Sequence, residues 1–176
     1  MNINTETTLC FTGHRPNKLN GYSPNDNKEL LFHLRDIIEY NIENHNIDTF
    51  ITGMALGIDQ WAARIVLKLK LKYPQIKLIA AIPCANHSSK WNNDSKLEWK
   101  YITDNCDYVH YVSDEEYTHW CMNKRNEWMV DNSSYVIAVH DGTKGGTDNC
   151  KQYAIKKEKD VVTVHPKTLE VSYELV

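Results

Sequence analysis

The residues best suited to chemistry in this chain of 176 residues lie in one short run rich in glycine and polar side chains, Asp141-Gly142-Thr143-Lys144-Gly145-Gly146-Thr147. The run follows an apolar segment, Tyr135 to Val139, that predicts a buried strand, and it precedes a segment that predicts a helix. Glycines between a strand and a helix leave backbone N–H groups free for an anion, and the helix dipole adds positive charge there. The run therefore predicts a phosphate-binding loop and, with it, a nucleotide or nucleotide-like ligand.

A second set of candidate residues follows the first apolar run of the chain. Gly13 allows a tight turn and a close approach of the backbone to a ligand. Arg15 supplies a planar, permanently charged group that suits phosphate, and His14 could donate to phosphate or stack on a base. The alternative is an ordinary turn with an exposed arginine. We favour ligand binding because the set lies at the end of a predicted strand.

A third set links the second predicted strand to its helix. Gly53 and Gly57 flank Met54 and permit a tight turn with an exposed helix start, which would form a second anion cradle. The spacing differs from the G-x-G-x-x-G fingerprint of dinucleotide-binding proteins. Asp59 falls in the first helical turn, where it either complements the helix dipole or accepts a hydrogen bond from a ribose hydroxyl.

Arg125 lies in an otherwise apolar helical stripe, which it shares with Cys121 and Met129 because the three residues are four apart. A charged side chain in such a stripe costs free energy unless it is paired or reaches a cleft. We expect Arg125 to point at the ligand. The alternative is a structural ion pair with Asp131 or Glu127.

The remaining ligand candidates give weaker signals. The polar stretch from Pro83 to Lys96 holds His87 and Trp91, and it predicts either a lid that stacks on a base or an ordinary surface loop. Asn126 adds an amide beside the arginine. No cluster of histidines and cysteines has the spacing of a metal site, and the chain has no P-loop and no G-x-S-x-G motif. No metal is expected.

Strand and helix patterns alternate along the chain, as in α/β proteins with a mostly parallel sheet of about six or seven strands and helices on both faces. We expect one domain over residues 1–176. The predicted strands cover residues 7–12, 48–51, 78–82, 108–112, 135–139 and 161–164, and the predicted helices begin near residues 24, 58, 94, 117 and 148. Ligands of such sheets bind at the carboxyl ends of the strands, so the candidate turns should meet along one rim.

Composition narrows the classes of partner. The net charge of −3 argues against nonspecific nucleic-acid binding, which needs a basic excess. The five cysteines form no C-x-x-C pair, which favours a reducing cytoplasm. We expect no secretory signal and no membrane span, because apolar stretches of about 20 residues are missing. A homo-oligomer is expected, because three tryptophans on predicted helices could face a second copy of the chain. They are Trp99, Trp120 and Trp128.

These segments together resemble the YpsA-like subfamily of the SLOG superfamily, whose members have Rossmann-like three-layer folds. The resemblance covers residues 8–165 and rests on Thr12-Gly13-His14-Arg15-Pro16, Gly53 to Asp59, Pro83-Cys84 with Trp91, Arg125 to Asp131, Asp141-Gly142 and Gly145-Gly146-Thr147. It implies a nucleotide-derived ligand held by the glycine loops and arginines. Related domains sense NAD-derived signals, including ADP-ribose species, in bacterial defence against phage. The superfamily also includes DNA-processing protein A and the Lonely Guy phosphoribohydrolases.

One departure from the superfamily favours binding over catalysis. Lonely Guy enzymes carry a glutamate shortly after the Gly-Thr of their loop, whereas this chain reads Asp148-Asn149-Cys150 there. Cleavage of a base from ribose needs a carboxylate, and only Asp131, Asp141 or Asp148 could substitute. We therefore expect a cytoplasmic protein that senses or sequesters an ADP-ribose-like molecule and requires no cofactor. The alternatives are a nucleotide N-glycosidase and a single-stranded DNA-binding protein.

Overall fold

The computed structural model describes residues 2–176 and contains a sheet of seven strands. The strands are β1 (Thr8–Gly13), β2 (Thr49–Thr52), β3 (Lys77–Ile82), β4 (Tyr108–Tyr111), β5 (Tyr135–Val139), β6 (Asp160–Val164) and β7 (Val171–Glu174). Their order in the sheet is β4-β3-β2-β1-β5-β6-β7, and all neighbours are parallel except the antiparallel pair β6 and β7. The predicted α/β class with a mostly parallel sheet is confirmed.

Five α-helices connect the strands: α1 (Lys28–Asn44), α2 (Ile58–Leu69), α3 (Asn93–Asn105), α4 (Cys121–Asp131) and α5 (Gly146–Lys156). Two starts differ from the sequence-based prediction. A 3₁₀ turn, Pro24–Asn27, precedes α1, and α4 begins four residues later than expected because residues 113–120 form bends and turns. Within residues 2–176, every helix is too short or too polar to cross a lipid bilayer.

The core forms two apolar layers because side chains of parallel strands alternate between the two faces of the sheet. In β1, Leu9 and Phe11 pack towards α1 and α2, while Cys10 packs on the opposite face with Met129 of α4 and Cys150 of α5. The same alternation runs through β2, β3 and β5. The protein is therefore a three-layer sandwich of helices, sheet and helices, with a Rossmann-like arrangement.

The strand order reverses between β1 and β5. The chain builds outwards from β1 through β2 and β3 to β4, and then returns to the centre to form β5 beside β1. Gly13 at the end of β1 pairs with Val139 at the end of β5. Helices leave these strands towards opposite faces, which opens a crevice at their carboxyl ends, the usual ligand position in such sheets.

Candidate functional site

A cavity of about 280 Å³ occupies this crevice. We call it the glycine-loop cavity. Nine residues proposed from the sequence line it, namely Gly13, His14, Arg15, Asp59, Arg125, Asn126, Gly145, Gly146 and Thr147. They come from the turn after β1, the start of α2, helix α4 and the turn into α5, so the fold brings together one rim of polar groups at the switch point.

Other residues proposed from the sequence lie outside this lining. Met54, Pro83 and Met129 are buried, and Met129 belongs to the core on the α4 and α5 face. Asp131 is exposed, accepts a hydrogen bond from the Tyr153 hydroxyl at 3.1 Å and pairs with a lysine. Gly53, Gly57 and Asp141 support the rim from behind or beside it, as described below, and Gly142 lies in the loop with φ of +88° and open space around it.

Seven further lining residues were not proposed individually as ligand contacts, although Thr12, Ala55 and Thr143 lie within the predicted segments. They are Thr12, Asn17, Lys18, Ala55, Met122, Asn123 and Thr143. Two of them could have been found from helical spacing, because Met122 and Asn123 precede Arg125 and Asn126 by three residues on α4. Lys18 gave no such signal. It reaches the cavity because a 3₁₀ turn, Pro16–Lys18, folds it towards the Thr143 hydroxyl, to which its Nζ donates at 2.9 Å.

Close contact between the β1 and β2 turns explains the glycine at position 57. Gly57 has φ of +93°, and a Cβ added there would lie 2.7 Å from the His14 carbonyl oxygen. The same carbonyl accepts the first N–H of α2, from Ile58, at 3.4 Å. The β1 turn is thus fastened to the start of α2, which fixes the position of Arg15 at the mouth of the cavity.

Arg125 is fixed from three sides. Its side chain is 7% exposed, and it donates to the Gly53 carbonyl and, at 2.8 Å, to the Asn126 side-chain oxygen. Its ion-pair partner is Asp59 at 3.7 Å, rather than Asp131 or Glu127 as one sequence-based alternative proposed. A side chain on Gly53 would overlap the guanidinium group, so this glycine makes room for the arginine.

The Gly53 turn differs from the predicted second anion cradle. The carboxylate of Asp59 accepts the Ala55 N–H at 3.2 Å, so the chain's own anion occupies the turn. Burial raises the pKa of Asp59, while Arg125 and the Ala55 hydrogen bond favour its ionised form. Asp59 therefore compensates the charge of Arg125 at the cavity that both residues line.

The glycine loop after β5 presents an open helix start to the cavity. Helix α5 begins at Gly146 with no side-chain cap at Gly145, so its first N–H groups have no partner inside the helix. A Cβ added at Gly145 or Gly146 would meet nothing within 4 Å, which leaves room for a ligand beside the backbone. Asn126 steadies the loop with a hydrogen bond to the Gly146 carbonyl at 3.4 Å.

His14, His140 and Asp141 hold the other end of the loop. Asp141 Oδ1 lies 2.7 Å from His14 Nε2 and accepts the N–H and hydroxyl of Thr143 at 3.0 and 2.6 Å. Burial opposes ionisation of Asp141, but these hydrogen bonds outweigh it and hold the pKa of its carboxyl well below its usual range. Burial lowers the pKa of His14, and its Nε2 contacts both the Asp141 carboxylate at 2.7 Å and the Asp141 backbone N–H at 3.1 Å.

These three side chains also place possible metal-ligand atoms within 4.8 Å of one another. Asp141 Oδ1 already accepts three hydrogen bonds, and His140 Nε2 lies 2.8 Å from the Thr143 carbonyl. The cluster is therefore explained as a hydrogen-bonded support of the loop. The support fixes one ring nitrogen of His14, and His14 also lines the cavity.

A second cavity, of about 310 Å³, adjoins the first. We call it the histidine cavity. It contains both His87 and Trp91, and it shares Arg15 and Met122 with the glycine-loop cavity. The stretch that was expected to form either a lid or a plain loop thus forms one wall of a second compartment.

Comparison with known proteins places this geometry in context. The model of the YspA SLOG family (YpsA) matches residues 9–172. An uncharacterised SPbeta prophage-derived protein, YoqJ, of Bacillus subtilis is 40% identical over 131 residues, which are 68% of this chain and 77% of the relative. A UPF0398 protein of Levilactobacillus brevis is 31% identical, over 76% of this chain and 71% of the relative.

Two solved structures share the fold. DNA processing protein A from Helicobacter pylori, described with its single-stranded DNA binding mode, matches 92% of this chain with a TM-score of 0.61 and 18% identity. DNA processing protein A from Streptococcus pneumoniae matches 93% with a TM-score of 0.64 and 18% identity. This chain spans 66% and 52% of those two chains, so the likeness concerns the fold.

Proposed function

The chain belongs to the YspA SLOG family, and we propose that it binds a nucleotide-derived small molecule by its phosphates in the glycine-loop cavity. The ligand we favour is ADP-ribose or another NAD-derived signal molecule, which the protein would sense or sequester. The observation that carries this proposal is the uncapped start of α5 facing a cavity that also holds Arg15 and Lys18. Backbone N–H groups and two cations around one cavity suit phosphate oxygens.

The charges around the cavity support an anionic ligand although the whole chain is acidic. Arg125 is balanced by Asp59, whereas the part of the chain described by the structure shows no ion pair for Arg15 or Lys18. Arg15 is exposed at the mouth, so its guanidinium is available to a ligand. The net charge of −3 still disfavours a long polyanion, because such a partner needs an extended basic surface.

The proposed setting is the cytoplasm of a bacterium, in an exchange of signals between phage and host. Two observations support this setting. The chain belongs to the YspA SLOG family, and a relative that is 40% identical is prophage-derived. The exposed Trp120, and Trp128 stacked on His110 with 4.0 Å between ring centroids, are where we expect two copies to meet. Light scattering on the purified protein tests self-association.

Titration calorimetry with AMP, ADP-ribose, NAD and cyclic ADP-ribose tests the ligand class. We expect at least one of them to bind, and Arg15→Ala to weaken it about tenfold or more, because a hydrogen bond to a charged group contributes about 1.5–3 kcal/mol. Arg35→Ala is the matched control, because Arg35 is an exposed arginine on α1. Absence of binding by all four compounds would refute the proposal.

Hydrolysis of an N-glycosidic bond is the second candidate function. His14 favours this function because it lines the cavity while Asp141 holds one of its ring nitrogens. A histidine oriented by a carboxylate in this way can act as a general base. Asp141 supports that base, whereas Asp131 lies outside the cavity. Chromatography of a nucleotide incubated with the protein distinguishes the candidates. Intact recovery indicates binding alone, and free base with ribose phosphate indicates turnover.

Single-stranded DNA is the third candidate, because the Helicobacter pylori protein of the same fold is described as binding it. A labelled oligonucleotide whose mobility shifts in a salt-dependent manner would favour DNA over a small molecule. We expect no shift at physiological salt.

A further inference from the structure

The histidine cavity contains a side chain that the proposed phosphate site does not explain. His87 is 8% exposed, and neither of its ring nitrogens has a hydrogen-bond partner in residues 2–176. A buried polar group without a partner costs about 1–3 kcal/mol, so such groups in folded proteins usually serve a further purpose. Here the ring belongs to the wall of a cavity of about 310 Å³.

The surroundings of His87 keep its ring neutral. Burial, followed by the nearby charges of Arg125 and Arg15, lowers the pKa of His87 to about 3. A neutral imidazole has one N–H donor and one acceptor nitrogen. It therefore suits an uncharged heterocycle that offers both an acceptor and a donor, and it repels neither a base nor a phosphate nearby.

Two aromatic side chains also line this cavity. Trp91 packs edge-to-face against His87, with 4.9 Å between ring centroids, and Tyr117 lines the same cavity. The Tyr117 N–H donates to the Asn86 side-chain oxygen at 2.8 Å, which joins the segment before α4 to the loop after β3. Aromatic walls beside a polar ring are suited to stacking a flat heterocycle while its edge is hydrogen-bonded.

The two cavities meet at Arg15 and Met122, which line both. A molecule held by its phosphates at the start of α5 can therefore extend past Arg15 into the histidine cavity. Both compartments contain cationic side chains, because Arg15 lines both and Lys90 lines the second, but the histidine cavity adds the aromatic side chains of Trp91 and Tyr117. This difference matches the two ends of a nucleotide.

We propose that the histidine cavity is the base subsite of the same nucleotide ligand, and that His87 determines which heterocycle it accepts. This inference rests on the proposed phosphate site in the neighbouring cavity. It adds that the ligand carries a nucleobase, that Trp91 stacks on the base, and that His87 reads its edge.

Calorimetry with two probes separates the subsites. Ribose 5-phosphate tests the phosphate site alone, and AMP tests both. We expect AMP to bind the unmodified protein at least about tenfold more tightly than ribose 5-phosphate, since stacking and one or two hydrogen bonds add to its affinity. His87→Phe should weaken AMP about tenfold and leave ribose 5-phosphate unchanged. His119→Phe is the matched control, because His119 is exposed and lies outside both cavities.

A second variant keeps the test valid if the buried substitution His87→Phe prevents the protein from folding. Trp91 is only half-buried, so Trp91→Ala should retain the fold. It should weaken AMP at least about fivefold without affecting ribose 5-phosphate. Tyr22→Ala, at an exposed aromatic residue outside both cavities, should change neither. Equal binding of AMP and ribose 5-phosphate, or an unchanged ratio in the folded variants, would overturn the base subsite and leave the phosphate site standing. Failure of both probes to bind the unmodified protein would overturn the base subsite, and the phosphate site would fall with it if ADP-ribose, NAD and cyclic ADP-ribose also failed to bind.

Discussion

Replacing Asp59 by asparagine should change stability and ligand affinity in opposite directions. The substitution keeps the size of the side chain and an oxygen for the Ala55 N–H, but it removes the charge that lies 3.7 Å from Arg125. Arg125 then remains buried without an anion. We expect the free energy of unfolding to fall, because removal of one partner from a buried ion pair costs about 3–5 kcal/mol.

Affinity for a phosphate-bearing ligand should rise in the same variant. Asp59 lines the glycine-loop cavity, so its carboxylate repels an anion there. At an effective dielectric constant of about 20, a unit charge about 10 Å from the ligand's charge contributes roughly 1–2 kcal/mol, which corresponds to about tenfold in the dissociation constant. The ligand would also take over as the counter-ion of Arg125.

Urea unfolding followed by tryptophan fluorescence gives the stability, and calorimetry with ADP-ribose gives the affinity. Asp104→Asn is the matched control, because Asp104 is 55% exposed and pairs only with Lys100 on its own helix. That change should alter the free energy of unfolding by about 0.5 kcal/mol or less. If Asp59→Asn left stability unchanged, or weakened ADP-ribose, the assignment of Asp59 as the counter-ion would be wrong.

Three further predictions follow from the same contacts. Gly53→Ala places a methyl group against the Arg125 guanidinium and should lower the free energy of unfolding by about 1–3 kcal/mol, whereas Gly146→Ala meets open space and should not, as thermal melts will show. Arg15→Lys should weaken phosphate-bearing ligands in calorimetry by less than Arg15→Ala, since lysine keeps the charge and loses the planar fork. The hydrogen bonds that lower the pKa of Asp141 in the folded protein stabilise the fold at pH values above about 3.8, the ordinary pKa of this carboxyl. This contribution is lost as the pH falls below that value. Urea unfolding from pH 6 to 3 should therefore show a steeper acid loss in the unmodified protein than in Asp141→Asn.

The sequence could predict that the candidate turns meet along one rim, because their meeting depends on a single topological rule. Gly13, Arg15 and Gly146 each follow a predicted parallel strand, and the carboxyl ends of such strands lie at one edge of a sheet. The helices on both faces of the sheet followed from the alternation of strand and helix patterns along the chain. The confirmed fold class thus needed only local patterns and topology rules.

The partners within the site could not be predicted, because they depend on distances between elements. Asp59 and Arg125 are far apart in the chain, and their pairing requires that α2 and α4 approach β2 from opposite faces. The helix pattern near residue 117 also misplaced the start of α4, since residues 113–120 form turns beside the histidine cavity. No pattern in the sequence indicates that the ring nitrogens of His87 lack hydrogen-bond partners within residues 2–176.

Chemical-shift mapping of the amide-labelled protein during titration with ADP-ribose tests the central proposal most directly. We predict that the largest shifts fall on the backbone amides of residues 13–15 and 142–147, where the cavity lies. Shifts confined to the opposite ends of the strands, near residues 45–48 and 157–160, would contradict a phosphate site at the switch point of the sheet. An unchanged spectrum at millimolar ligand would contradict it equally.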